Sequence, residues 1–365
     1  MQISAPLLLQ LGAVLTVLAL LGTVARRFAL SPIPVYLLTG LALGNGGVAP
    51  VTTAGHFITT GAPIGVVLLL LTLGLEFSAT EFASSLRHHL PSAAVDFVLN
   101  ATPGALAGWL LGLNGVGVLA LAGVTYVSSS GVISRLLEDF AMAVYLPLVA
   151  VLAAGGSWLL ALVEVAAAIA ALCMAFAASY RWGHQVGRLV THPDSEQLLL
   201  RVLGITLIVA AVAEHLHASA AVGAFLVGLT LTGETAERAR KLLGPLRDVF
   251  AAIFFVAVGL PVNPAQLLPE LPIAVILAAV TAATKVATGV FAARREGVAR
   301  RGQLRAGTTL MARGEFSLII IGLVGSSIAG VAALATSYVF VLAIVGPVLT
   351  RFTGGPLSVG ARKAT

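Results

Sequence analysis

Apolar stretches long enough to cross a bilayer recur along the whole 365-residue chain, and they leave little room for a water-soluble core. A spanning helix needs about 20 mostly apolar residues. The sequence offers about thirteen: 5–25, 32–48, 61–78, 91–111, 115–134, 138–154, 157–180, 197–213, 218–232, 248–260, 272–293, 306–326 and 333–350. Charged residues make up 10% of the chain, against about 25% in soluble domains. Aromatics are 6% with 39 glycines, which favours helices packed through small residues over a barrel with aromatic girdles. The expected class is therefore an all-α polytopic membrane protein.

The basic residues set the orientation. Arg26, Arg27, Arg87, Arg135, Arg181, Arg188, Arg201, Arg238, Arg240, Lys241 and Arg247 fall in alternate loops or at adjoining helix ends. So do Arg294, Arg295, Arg300, Arg301, Arg305, Arg351, Arg362 and Lys363. The intervening loops 44–60, 112–115, 214–218, 261–271 and 325–333 hold no Lys or Arg. Basic loops stay in the cytoplasm, so the N-terminus is expected outside, the C-terminus inside, and the number of spans odd. The net charge of +6 reads as a topology signal with some attraction to anionic lipid, not as a nucleic-acid footprint. The first span lacks a basic n-region and reads as a retained helix, not a cleaved signal. The single cysteine, Cys173, excludes an intramolecular disulfide and reads as a packed small residue.

Few ionisable groups remain at membrane depth, where each is costly and therefore a functional candidate. The basic ones are Lys285 and Arg313; the acidic ones are Asp96, Glu138, Asp139, Glu164 and Glu315, with Glu76 nearer an end. Glu164 has no evident partner. The pairs His88-His89 and His215-His217 sit at span ends and read as solvated. There is no nucleophile–base set, metal cluster or phosphate loop, so enzyme chemistry finds no support and no cofactor is expected.

The chain also repeats itself. Ser31 precedes Gly40-Leu41-Ala42-Leu43 by nine residues, as Ser219 precedes Gly228-Leu229-Thr230-Leu231. Gly74-Leu75-Glu76-Phe77-Ser78 ends one span as Gly259-Leu260-Pro261-Val262-Asn263 ends another. Both matches are seven spans apart, and an odd offset inverts the second copy in the membrane. The same offset pairs two polar-interrupted spans, one carrying Thr125-Tyr126-Val127-Ser128-Ser129-Ser130-Gly131, the other Thr308 to Ser317 through Arg313-Gly314-Glu315. Interrupted segments in corresponding positions of inverted halves point to a transporter's binding site.

Gly74-Leu75-Glu76-Phe77, the Ser128-Ser129-Ser130 run, Glu138-Asp139, Lys285 and Ala312-Arg313-Gly314-Glu315-Phe316 together resemble the monovalent cation:proton antiporters, in the potassium-efflux and sodium/proton branch. The resemblance implies about 13 transmembrane helices in inverted repeats with two broken, crossing helices. Residues 1–90 and 197–271 would form the dimer panel, and 91–155 and 272–352 the ion-transport core. Residues 157–182 would link them, and 353–365 would be a short cytoplasmic tail without a nucleotide-binding regulatory domain. It implies a homodimer in a bacterial inner membrane, exchanging protons for K⁺ or Na⁺, with a separate cytoplasmic regulatory subunit as a further candidate partner.

In that pattern Asp139 matches the ion-binding aspartate and Glu138 the residue before it. Lys285 matches the basic residue that pairs with that first position, so Glu138 is its expected partner. That pair acts either as a static salt bridge or directly in proton coupling. Thr125, Ser128 and Ser129 either lend oxygens to a cation or hydrogen-bond between helices. Arg313 and Glu315 are expected to hold the interrupted helix, and Asp96 and Asn100 to line a cytoplasmic approach. One departure stands out: Ser134-Arg135-Leu136-Leu137 runs straight into Glu138-Asp139 with no turn residue, although 115–154 must cross twice. A continuous helix there would be about 60 Å long, twice the hydrocarbon core. Roughly 15–25 residues, a turn plus half a span, are therefore expected to be absent at the Leu137–Glu138 junction. A channel without proton counterflow and a transport-inactive sensor or scaffold are the rival readings. A bile-acid-type symporter shares the broken-helix plan, but the lysine and acidic pair argue against it.

Overall fold

A computed structural model describes residues 5–27, 32–44, 46–51, 53–76, 79–128, 190–215, 220–311, 313, 315–324 and 331–353, with scattered positions between 145 and 187. The expected span 138–154 lies largely outside them and 157–180 in part, while Glu138, Asp139, Glu164 and the Leu137–Glu138 junction lie wholly outside.

In chain order the helices are α1 (Ala5–Arg27), α2 (Ile33–Leu43), α3 (Ala54–Gly74), α4 (Ala79–Leu110), α5 (Gly115–Tyr126) and α6 (Ser195–His215). Then come α7 (Ala220–Thr230), α8 (Gly233–Gly259), α9 (Pro264–Arg295), α10 (Arg300–Thr309), α11 (Glu315–Val324) and α12 (Val331–Thr353). Ala5–Arg27, Ala54–Gly74, Ser195–His215, Gly233–Gly259, Pro264–Arg295 and Val331–Thr350 are long and apolar enough to cross a membrane. Shorter helices α2 and α5 are apolar throughout but stop early.

Local chemistry sets several ends. Asn114 starts α5 from an extended backbone, its side chain accepting from Gly117 N at 2.9 Å. Asn263 does the same for α9, accepting from Ala265 N at 3.0 Å just before Pro264 at the first helical position. Both are N-caps that satisfy orphan amide donors. Gly297, at φ +71°, makes the left-handed turn between α9 and α10 that a side chain would strain. The outward faces are apolar, as lipid contact requires: Leu9, Leu20, Trp109, Leu110 and Ile208 are all exposed.

The helices pack in two sets. In one, α3 lies against α7 and α8, α8 against α2, and α6 against α7. In the other, α4 lies against α5 and α9, α9 against α10 and α12, and α11 against α5 and α12. The sequence repeat reappears as contacts. A Cβ on Gly40 of α2 would stand 3.0 Å from Gly259 Cα of α8, and one on Gly74 of α3 would stand 3.0 Å from Gly228 Cα of α7. Gly40 matches Gly228 in the repeat, and Gly74 matches Gly259. Each repeat thus lays its first glycine on the second glycine of the other, as a two-fold exchange demands. Without a hydrophobic drive between helices in lipid, such close approach is what gives van der Waals contact.

Two sequence readings shift at the ends. The span read at 248–260 is the last half of α8, whose first half is an amphipathic, charged extension. The span read at 306–326 divides into α10 and α11, with Arg313 outside helix between them.

Candidate ion-transport core

Two buried cations organise the second set of helices. The first is Lys285 of α9, completely buried. Its Nζ donates to both carboxylate oxygens of Asp96 on α4, at 3.0 Å each. Asn100, one turn along α4, donates through Nδ2 to Asp96 Oδ1 at 2.9 Å and to Thr288 Oγ1 at 3.2 Å. Thr284 returns a hydroxyl proton to Asn100 Oδ1 at 2.8 Å. Positions 281, 284, 285 and 288 recur at helical spacing, so α9 presents one polar stripe to α4. Tyr126, the last residue of α5, closes the site, with Lys285 Nζ 5.3 Å from its ring centroid.

The second cation is Arg313, in the interruption between α10 and α11 and 2% exposed. Its Nε donates to Tyr338 Oη of α12 at 2.8 Å, and Nη1 to Val127 O at 2.8 Å. Tyr338 Oη also lies 2.9 Å from Thr281 Oγ1 on α9, whose own proton is within reach of Leu277 O at 2.9 Å. Ser317 of α11 donates to Val124 O at 3.1 Å. Val124 and Val127 carry carbonyls of the terminating turn of α5, which the helix itself cannot satisfy. The interrupted helix therefore caps α5, placing a fixed positive charge at the negative end of its dipole.

The expected site residues separate accordingly. Asp96 and Asn100, read as lining a cytoplasmic approach, are instead buried, at 4% and 0% exposure, and locked onto α9 in this conformation. Lys285 was assigned to Glu138 by resemblance; Glu138 lies outside the described residues, and Asp96 is the carboxylate seen against Lys285. Thr125 spends its proton on its own helix, at Leu121 O and Ala122 O, and is fully buried. Ser128 is buried beside it, whereas Ser129 lies outside the described residues. Arg313 bonds to Tyr338 and Val127, while the side chain of Glu315, at the start of α11, lies outside the description. Tyr126, Tyr338 and the threonines of α9 were missed; only the threonines carried a signal, their spacing around Lys285.

Buried charges among membrane-length helices, with one helix interrupted at a buried arginine, define a polytopic α-helical membrane protein of the ion-transporter type. The chain belongs to the sodium/hydrogen exchanger (transmembrane) family, whose model matches residues 13–139 and 135–354. It is 28% identical to the K(+)/H(+) antiporter subunit KhtU of Bacillus subtilis, over 94% of this chain and 93% of that one. It is 25% identical to the ammonium/H(+) antiporter subunit AmhT of Alkalihalophilus pseudofirmus, over 95% and 93%. The cation/proton antiporter YbaL of Escherichia coli, described as putative, is 30% identical over 88% of this chain and 63% of its own length. In fold it is similar to the sodium proton antiporter MjNhaP1 of Methanocaldococcus jannaschii, with TM-score 0.67 and 16% identity, over 94% of this chain and 96% of that one.

One detail of these matches bears on the junction beside Asp139. The family match falls into two pieces that meet at residues 135–139.

Proposed function

We propose that this protein is a secondary-active antiporter exchanging protons for a monovalent cation, K⁺ or Na⁺, with proton and cation competing for Asp139. The observation that carries the reading is a family match along nearly the whole chain, around a core whose described residues supply buried charges and an interrupted helix. A desolvated carboxylate holds a proton or a bare cation but not both, so pH and cation concentration compete for it. Exposing that one site alternately to each side of the membrane is sufficient for exchange.

The finer architecture follows the family: thirteen spans in inverted repeats, two of them broken and crossing. The reciprocal glycine contacts support the repeat. The set α4, α5 and α9–α12 would be the moving core, and α1–α3 with α6–α8 the panel on which a second subunit docks. K⁺ is favoured over Na⁺ because the relatives named include a K(+)/H(+) antiporter subunit. The word subunit in the names of KhtU and AmhT supports a separate cytoplasmic regulatory partner facing the basic loops. Thr125 and Ser128 would contribute oxygens near the cation, and Arg313 would hold the interruption in place.

Proton flux in proteoliposomes, compared for K⁺, Na⁺ and Li⁺ across pH, tests the reading. Wild type is expected to show cation-driven proton movement, and Asp139→Asn to lose it while remaining folded; full flux in that variant removes the site assignment. A specific observation favours one rival. The two-piece family match agrees with residues being absent at the Leu137–Glu138 junction. Such a loss would leave Asp139 near the cytoplasmic surface and make the chain a transport-inactive homologue. A folded protein with no flux in any cation would establish that reading instead.

A further inference from the structure

The turn between α9 and α10 gathers five arginines on a short hairpin. Arg294 and Arg295 end α9, and Arg300, Arg301 and Arg305 lie on α10. All five are exposed, and residues 294–305 hold a single carboxylate, Glu296. The backbone that carries them is well tied. Gly297 N donates to Arg294 O at 3.1 Å and Val298 N to Ala293 O at 3.0 Å, the paired bonds that end a helix at a left-handed glycine. Gln303 Nε2 then donates back to Val298 O at 2.6 Å. On its inner side α10 rests directly on α9, where a Cβ on Gly289 would meet Gly307 Cα. The guanidinium groups are thus held on a preset frame, and their mutual repulsion favours an anion that binds among them.

The basic start of α8 is different, because its charges are used within the chain. There Arg238 donates to His192 O at 3.1 Å and Pro193 O at 2.9 Å. Lys241 pairs with Glu237 at 2.8 Å, and Arg247 with Asp248 at 2.8 Å. The α9–α10 turn has no such balance of sign in its sequence, and apolar side chains are set among its arginines instead. Phe291 stands one helical turn before Arg294 and Arg295, and Leu304 one turn after Arg300 and Arg301; both are exposed. Since α9 is long and apolar enough to cross a membrane, its last turn emerges at the headgroup layer. An acidic protein surface would be matched by the charges alone. A basic helix face with an outward leucine matches a phosphodiester with acyl chains beside it, as in helices that lie at a bilayer surface. The planar fork of arginine also fits phosphate oxygens in pairs.

We propose that the α9–α10 hairpin is a binding site for an anionic phospholipid, with Arg300, Arg301 and Arg305 on the headgroup phosphate and Leu304 against the acyl chains. Arg294 and Arg295 add to the field that draws the lipid in. Because α10 leads into the interruption at Arg313, the bound lipid fixes the start of the interrupted helix at the membrane surface. The site is built from described residues and stands whichever ion the protein carries.

The test uses the full chain in neutral detergent, titrated with dioctanoyl phosphatidylglycerol, dioctanoyl phosphatidylcholine, inorganic phosphate or poly-glutamate. Bound lipid is counted by native mass spectrometry, and thermal unfolding is followed in parallel. Of the four, phosphatidylglycerol is expected to bind most tightly and to stabilise the protein, less so as NaCl is raised. Arg300→Gln/Arg301→Gln/Arg305→Gln should weaken its binding on the order of a hundredfold, at about fivefold per arginine. Arg26→Gln/Arg27→Gln/Arg240→Gln makes the same change of charge on α1 and α8 and should leave the binding intact. Leu304→Gln keeps every charge and should weaken phosphatidylglycerol about tenfold. Equal losses in the two triple variants, or no loss in Leu304→Gln, overturn the proposal. So does inorganic phosphate or poly-glutamate protecting the protein as well as the lipid does. Should the α10 triple variant not accumulate, Arg305→Gln and Leu304→Gln decide the matter: weaker phosphatidylglycerol binding in both supports the site, and anything less overturns it.

Discussion

Lys285 and Arg313 are both buried cations within one set of helices, yet they are neutralised by different chemistry. Lys285 meets a full carboxylate, flanked by an amide, two hydroxyls and a ring. Arg313 meets a carbonyl and a phenol, Val127 O and Tyr338 Oη, and among the described residues its Nη2 has no hydrogen-bond partner. A guanidinium cannot be deprotonated in a protein, whereas a lysine readily changes state when desolvated. The arginine is thus a permanent charge tied to backbone dipoles, suited to holding an interruption open. The lysine is a charge whose counter-ion is a side chain on another helix, Asp96 of α4.

Breaking the lysine side should give the largest effect. Lys285→Met removes the cation facing buried Asp96, an expected loss of about 3–5 kcal/mol. The Asp96→Leu/Lys285→Met double variant should recover most of it, as read by denaturant titration in mixed micelles. A double variant as unstable as the single one would show that the pair is not the source. Arg313→Leu should cost less, about 2–4 kcal/mol, because among the described residues it orphans the Val127 carbonyl and the Tyr338 hydroxyl but no carboxylate. If it costs more than Lys285→Met, the contrast between the two cations fails.

A steric change ranks next and touches neither charge. Gly289→Ala would place a Cβ 2.4 Å from Gly307 Cα, backbone that cannot rotate away, so α9 and α10 must separate. A loss of about 1–3 kcal/mol is expected, the usual range for overpacking. Its unfolding should respond to salt type no differently from wild type. The smallest effect is expected from Tyr338→Phe, which removes one acceptor from Arg313 while leaving the ring, about 1 kcal/mol. That variant should retain cation-driven flux; its loss would place Tyr338 in the transport path rather than in the scaffold.

Much of the fold was legible because lipid imposes a simple rule, that each crossing must satisfy its own backbone. The spans at 5–25, 197–213 and 333–350 were found nearly at their observed bounds for that reason. The repeat was legible too, since glycines that allow close contact leave a spaced imprint such as Gly40 and Gly228. The helix ends were harder. The charged first half of α8 extends from a span but has no apolar signature, so hydropathy began it about fifteen residues late. The partner of Lys285 was harder still. Asp96 lies 189 residues away on another helix, and nothing in local spacing distinguishes a carboxylate facing water from one facing an ammonium.

The sequence by itself determined that the chain lives in lipid, that it repeats, and which few ionisable residues fall within its apolar stretches. Those properties follow from transfer energies and periodicity, which each residue carries with it. Only the tertiary structure decided how the charges were matched: Asp96 with Lys285, Arg313 with the end of α5 and with Tyr338. Matching depends on which helices touch and at what register, and the energy of a buried charge is set by the few groups within reach of it rather than by its place in the chain.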